Sequence, residues 1–160
     1  MPLKYNQTDD YKYCEDYCTP KSAWEQIGEY IPKDKQIWEP FYCDGKSGEF
    51  LKELGYDVIH KDEDFFKAEY VGRVIVSNPP FNNLKKILTR LKELGNPFIL
   101  IMPIGTICTI YFKELFPDIQ LIIPTKRIQF LKNGNQLKRC YFSCAYYCFK
   151  MNLKKDLIMI

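Results

Sequence analysis

VGRVIVSNPPF, residues 71 to 81, decides how the rest of the chain is read. Val74, Ile75 and Val76 are β-branched and favour a strand. The Asn78-Pro79-Pro80 step cannot continue one: each proline fixes its own φ, removes a backbone donor and keeps the residue before it out of the helical region. A buried strand therefore ends in a stiff, extended step from polar Ser77 and Asn78 to aromatic Phe81. Two adjacent prolines at ~5% usage each make a chance match to such a motif, in a chain of this length, on the order of one in a hundred. The stretch reads either as a rigid strand exit or as a site.

Working outward, strands and helices alternate. Downstream, LKKILTRLKELG sets Leu84, Ile87, Leu88 and Leu91 on one helical face, and PFILIMPI is an apolar run suited to a strand covered on both sides. A short helix around YFKELF leads to the strand QLIIPT, and Asn133-Gly134 inside KNGN signals a hairpin turn between two further strands. Upstream, TPKSAWEQIGEYI reads as a helix with Thr19 as N-cap, Pro20 at the first helical position, and Ala23, Trp24, Ile27 and Ile31 at helical spacing. QIWEPF is a short strand, GKSGEFLKELG a helix closed by Gly55, and YDVIHKD the next strand. The pattern predicts an α/β domain with a mostly parallel sheet, helices on both faces and an antiparallel C-terminal hairpin. Residues 1 to 18, polar and Tyr-rich without periodicity, read as an arm, and residues 19 to 160 as one domain. In such sheets ligands bind beyond the carboxyl ends of the strands, and residues 39 to 48 and 77 to 81 both fall there.

Composition narrows the function classes. A net charge of +3 is too small for a general nucleic-acid coat, so phosphate contacts must come from a local patch, which KRIQFLKNGNQLKR supplies. The 12 Tyr and 11 Phe suit stacking on bases and equally an aromatic core. No apolar run reaches the ~18 residues of a membrane span, and the N-terminus lacks a signal-peptide pattern, so a soluble, intracellular protein with no membrane partner is expected. The 7 cysteines contain no CxxC pair and the chain has 1 His, so no metal site is expected and reduced, mostly buried thiols are. Cys140, Cys144 and Cys148 would share one face of a helix or a strand, and the aromatic content of CYFSCAYYCFKM favours the strand.

The chemistry open to Asn-Pro-Pro-Phe is specific. An exocyclic amine on an aromatic ring is a poor nucleophile because its lone pair is delocalised. A site that methylates it must place two acceptors on its protons, so that the nitrogen pyramidalises and the lone pair points at the methyl donor. The side-chain carbonyl of Asn78 and the backbone carbonyl of Pro79 can do this, with Pro79 and Pro80 holding both in advance and Phe81 stacking on the ring.

With these residues, the chain resembles amino-group methyltransferases that use S-adenosylmethionine, most of all the adenine-N6 DNA methyltransferases. The resemblance runs from about residue 18 to 150 and implies a Rossmann-like class I methyltransferase fold. SNPPF is similar to the family's catalytic motif, and WEPFYCDGKSG to its methionine-binding loop. It implies cofactor contacts for Glu39, Pro40, Asp44, Gly45 and Gly48, although Tyr42 and Cys43 stand where small residues are commoner. Asp62 matches the acid that binds the ribose hydroxyls, and Asp64-Phe65 the pair that holds the adenine. TPKSAW resembles the segment that closes over the donor, with Thr19 and Pro20 as its contacts. Only 15 residues separate Asp62 from Asn78, too few for the usual helix and strand, so the sheet is expected to be reduced in the middle. PTKRIQFLKNG resembles phage- and large-virus-encoded relatives, which implies that Arg127 and Phe130 approach the flipped base or the phosphates. Lys126, Lys132, Lys138 and Arg139 complete the expected nucleic-acid contact.

The expected activity is methylation of adenine N6 in DNA, with the base taken out of its stack. RNA methylation, methylation of a glutamine amide in a protein, and a non-catalytic subunit that keeps the fold remain alternatives. No target-recognition domain is legible. Sequence specificity is then expected from short loops, a homodimer or a partner subunit, or to be low.

Overall fold

The computed structural model describes residues 17–132, 134–136 and 143–160. Seven strands form one sheet in the order β2-β1-β3-β4-β8-β5-β9. They are β1 (Ile37–Trp38), β2 (Val58–Ile59), β3 (Val74–Ser77), β4 (Phe98–Pro103), β5 (Gln120–Ile123), β8 (Cys144–Phe149) and β9 (Leu157–Met159). β1 pairs in parallel with β2 on one side and β3 on the other, β3 continues in parallel to β4, and β5 pairs in parallel with β9. Only β8 runs antiparallel, inserted between β4 and β5. This is a mostly parallel, Rossmann-like α/β sheet with helices on both faces, reduced in the middle. Residues 60 to 73, between β2 and β3, hold no helix or strand.

Period-two alternation within wholly apolar strands builds two cores. Val74 and Val76 of β3 and Ile99 and Ile101 of β4 face one side, with Trp24, Ile27, Leu51 and Tyr146. Ile75, Phe98, Leu100 and Met102 face the other, with Leu84, Ile87, Leu88, Leu91, Phe112 and Tyr147. α1 (Lys21–Glu25) and α2 (Lys46–Glu53) supply cover on the first face, and α3 (Leu84–Leu94) and α4 (Ile110–Leu115) on the second. The four leucine and isoleucine positions of α3 read from its sequence are its buried residues. Gly95, at φ 69, ends that helix in the left-handed conformation that favours glycine. Tyr146 and Tyr147 point to opposite faces of β8. The Tyr146 hydroxyl donates to the Ala23 carbonyl at 2.7 Å, and that of Tyr147 to the Pro103 carbonyl at 2.8 Å. Cys144 and Cys148 share the first face as buried thiols, in the expected strand.

Two local readings are corrected. Thr19 is not the N-cap of α1: Pro20 is, at φ −70 and ψ 152, and the Thr19 side chain is used elsewhere. The α-helix also stops at Glu25, and a separate 3-10 turn, Gly28–Tyr30, carries the chain on towards Ile31. The expected antiparallel hairpin is present as β6 (Leu131–Lys132) and β7 (Asn135–Gln136), a separate two-stranded unit, and the antiparallel member of the main sheet is β8. β9 adds an edge strand that the sequence reading did not anticipate. Among the described residues, no helix is long and apolar enough to cross a membrane.

Candidate active site

The sheet has its topological switch point between β1 and β3: from β1 the chain builds outward to β2, then returns to the other side of β1 as β3. Connections leave in opposite directions there and open a crevice at the carboxyl ends. Register places Ile37 beside Val74 and Trp38 beside Ile75, so Glu39 and Ser77-Asn78 emerge side by side. Between them lies a cavity of about 160 Å³, lined by Glu39, Phe41, Asp44, Ser47, Asn78, Pro79, Pro80, Phe81 and Asn82, and by Tyr17, Cys18, Thr19, Cys43 and Phe130.

Glu39 is 1% exposed. Its Oε1 accepts from the Phe41 amide at 3.0 Å and from the Ser77 hydroxyl, and Ser47 also hydrogen-bonds to the carboxylate. Burial raises its pKa to about 7, against the opposing pull of those donors. Ser47 is itself held by the Trp24 indole, which donates to its Oγ at 3.2 Å. The acid that follows β1 is thus bonded directly to the residue preceding Asn78.

Asn78 is fixed by a side-chain hydrogen bond to the N-terminal segment. Its Nδ2 donates to Thr19 Oγ1 at 3.0 Å. Its Oδ1 is buried and has no hydrogen-bond partner among the described residues. Leaving such an acceptor unmade costs roughly 1–3 kcal/mol, and buried carbonyls without a partner are rare in folded proteins. The site therefore carries one polar atom whose partner has to come from outside the described chain.

Other sequence-predicted residues lie elsewhere. Pro40 is buried after β1, and Gly45, at φ 81, precedes α2. A Cβ on Gly48 would fall 2.2 Å from the His60 ring, so the missing side chain makes room for that imidazole. His60 in turn stacks under Tyr42 at a 4.7 Å ring separation and 22° between planes, and its Nδ1 lies 3.0 Å from the Glu39 carbonyl. Its buried Nε2 has no partner among the described residues. The Tyr42 hydroxyl sits 3.1 Å from where a Gly45 Cβ would be. Asp62 and Asp64 are exposed and do not line the cavity, while Phe65 is buried against Trp38 and Phe41. Pro20 lines a separate groove together with Lys126 and Arg127. Lys132 Nζ lies 5.8 Å from the Tyr17 ring at the cavity's edge. Phe130 is buried and reaches the cavity itself. Lys138 and Arg139 lie outside the described residues.

Sequence reading missed Ser77, Ser47, Phe41, Tyr17 and Asn82 as site residues. Ser77 had a signal, being a polar residue at the last position of an otherwise apolar strand. Phe41 had one in its place two residues after Glu39, whereas Ser47 and Tyr17 reach the cavity only through the tertiary fold.

Comparison with known proteins yields little at the level of sequence: no family model matches, and no curated protein does. Among solved structures, the crystal structure of TehB from Haemophilus influenzae is similar, with a TM-score of 0.45 and 13% identity over 81% of this chain. The likeness covers 60% of that protein's chain.

Proposed function

We propose that this chain methylates an exocyclic amine with S-adenosylmethionine as donor, and that its substrate is adenine N6 in DNA. The observation that carries the reading is the Asn78 amide: its nitrogen is tied to Thr19, while its buried oxygen has no partner among the described residues and lies beside an aromatic-lined cavity. A proton on a substrate amine satisfies that oxygen. The Pro79 carbonyl supplies the second acceptor, and Phe81 stacks on the ring that bears the amine. With both protons held, the nitrogen lone pair turns out of the ring plane. The rigid prolines mean that little reorganisation remains to be done during the reaction. Asn78 is neutral and no useful base, so the proton released after transfer goes to water.

The residues present fit the reacting end of the donor. S-adenosylmethionine, when bound, supplies an electrophilic methyl group on a sulfonium. Glu39, on the cavity wall beside Ser77-Asn78, would hold its amino group. For the nucleoside end, the cavity is smaller than the ~300–1,000 Å³ typical of small-molecule sites, and Tyr42 lies over His60 and Gly45. Tyr42 is 37% exposed, so it can swing away without leaving a core.

One observation favours a second reading. The Tyr42–His60 stack, with Asp62 turned to solvent, is what a non-catalytic subunit would retain after losing its nucleoside pocket. Calorimetric titration with S-adenosylmethionine, followed by transfer of labelled methyl to DNA, RNA and a protein extract, separates the two. Binding with label in DNA is expected. Label only in RNA or in protein would move the substrate assignment, and no binding would select the subunit reading.

A further inference from the structure

We infer that Cys18, Cys43 and Asp44 form a site for a thiophilic divalent cation of the zinc type at the mouth of the cavity. The two cysteines are 25 positions apart in sequence, and none of the spacings typical of zinc motifs links them. The fold brings their sulfurs and an Asp44 carboxylate oxygen within 4.8 Å of one another. The Cys18 Sγ to Asp44 Oδ2 distance is 3.2 Å. Tetrahedral zinc with sulfur at about 2.3 Å and oxygen at about 2.0–2.2 Å sets its ligand atoms about 3.5–3.8 Å apart, so small side-chain rotations suffice to admit an ion.

Each ligand is positioned by backbone structure. Cys18 is pinned to Leu131 by a pair of backbone hydrogen bonds of 2.8 and 2.9 Å, an antiparallel bridge that fixes the segment from which Thr19 follows. Cys43 is held at φ 51, left-handed backbone that is uncommon and costly for a residue with a side chain. Asp44 Oδ1 accepts from the Lys46 amide at 3.1 Å, which leaves Oδ2 towards Cys18. The only cation that reaches this carboxylate among the described residues is Lys46, at 3.8 Å with its side chain 52% exposed, and such a contact is weak in water.

The electrostatics agree with the geometry. Burial and the neighbouring Asp44 push the Cys18 thiol up to about 12, and burial followed by Asp44 raises that of Cys43. Two thiols thus converge beside a carboxylate, where neither thiol gains from ionising. A bound divalent ion inverts that balance, because it deprotonates coordinated thiols and neutralises the carboxylate. Three protein ligands of mixed sulfur and oxygen suit zinc better than magnesium or calcium, which prefer all-oxygen shells. The ion would fasten the segment carrying Thr19 to the loop after β1, and so hold Thr19 against Asn78.

The test uses the full chain, reduced and purified, titrated with Co²⁺ under anaerobic conditions. One equivalent should give thiolate-to-cobalt charge-transfer absorption, which Zn²⁺ displaces. Cys18→Ser and Cys43→Ser should each lose the band, Asp44→Asn should weaken binding, and Cys108→Ser, an exposed thiol outside the cluster, should leave it unchanged. Circular dichroism confirms that each variant is folded, and a Zn²⁺-dependent rise in melting temperature, absent from Cys43→Ser, gives a second readout. A band that survives either cysteine substitution, no band in the reduced wild type, or a Cys18–Cys43 disulfide that forms in place of metal binding when Zn²⁺ is present would each overturn the site. Because the readout is metal binding to the chain alone, its failure would leave the methyl-transfer reading untouched.

Discussion

Asn78 has its two ends committed differently, the amide nitrogen to Thr19 and the oxygen to no described group. Asn78→Ala should therefore abolish methyl transfer while leaving donor affinity and melting temperature close to wild type, since the lost contact is made with the amine alone. Removing one preorganised contact of this kind costs about 10²–10³ in kcat, and unchanged turnover would remove Asn78 from the reaction. Thr19→Val acts at one remove: it frees the amide to flip, so kcat should fall by less, with the donor's Kd little changed. Glu39 carries a pH signature. Its folded pKa of about 7 lies above the ordinary glutamate value of 4.5, so the folded chain binds the extra proton between those values. The contribution to stability is fully present below about pH 4.5, declines as pH rises, and is lost above about pH 7, a difference on the order of 3 kcal/mol. Chemical denaturation of wild type and Glu39→Gln between pH 5 and 8 should give a falling stability for the first and a flatter profile for the second. Parallel profiles would mean that Glu39 is not the group titrating.

At the scale of elements, β3 and β4 were legible because their residues satisfy local and tertiary demands together: Val74 to Val76 and Phe98 to Met102 are strand formers and are buried on both faces. α3 was legible because four apolar residues repeat at helical spacing and Gly95 ends it. The start of α1 was misread because Thr19, a good cap by type, is diverted to Asn78 by a contact 59 residues away. β9 was missed because Leu157–Met159 is a short edge strand that only β5 recruits. The loop from Phe41 to Gly45 resembles a cofactor loop with bulky Tyr42 where small residues are commoner, and Tyr42 folds back onto His60 and Gly45, a contact that no local pattern encodes. This yields a prediction for the element as a whole. Tyr42→Ala should tighten S-adenosylmethionine binding severalfold in calorimetry, because an exposed ring that gives up one stacking contact, worth about 0.5–1.5 kcal/mol, no longer has to be displaced. Weaker binding in that variant would instead make Tyr42 part of the pocket wall.

For the whole molecule, the switch point between β1 and β3 was foreseeable from the alternation of strands and helices, and with it the meeting of Glu39 and Asn78. Which way the side chains of the basic stretch after β5 would turn was not foreseeable, because a charged residue is legible in sequence but its direction is set by the fold. Phe130 turns inward to the cavity, whereas Lys126 and Arg127 are exposed along the groove beside Pro20 and Gln26, and Lys132 lies at Tyr17. A strand of DNA whose base enters the cavity past Tyr17 would meet Lys132 first and the Lys126–Arg127 groove beyond it. If these side chains contact phosphates, each contact removed should lower the slope of log K against log salt by about 0.7–0.9, and affinity should fall by a similar amount across sequences. Arg127→Ala combined with Lys132→Ala, titrated with a labelled oligonucleotide at several salt concentrations, should lose close to two such increments with methyl-donor affinity unchanged. A wild type that binds equally at low and high salt would mean that this face does not meet the phosphate backbone.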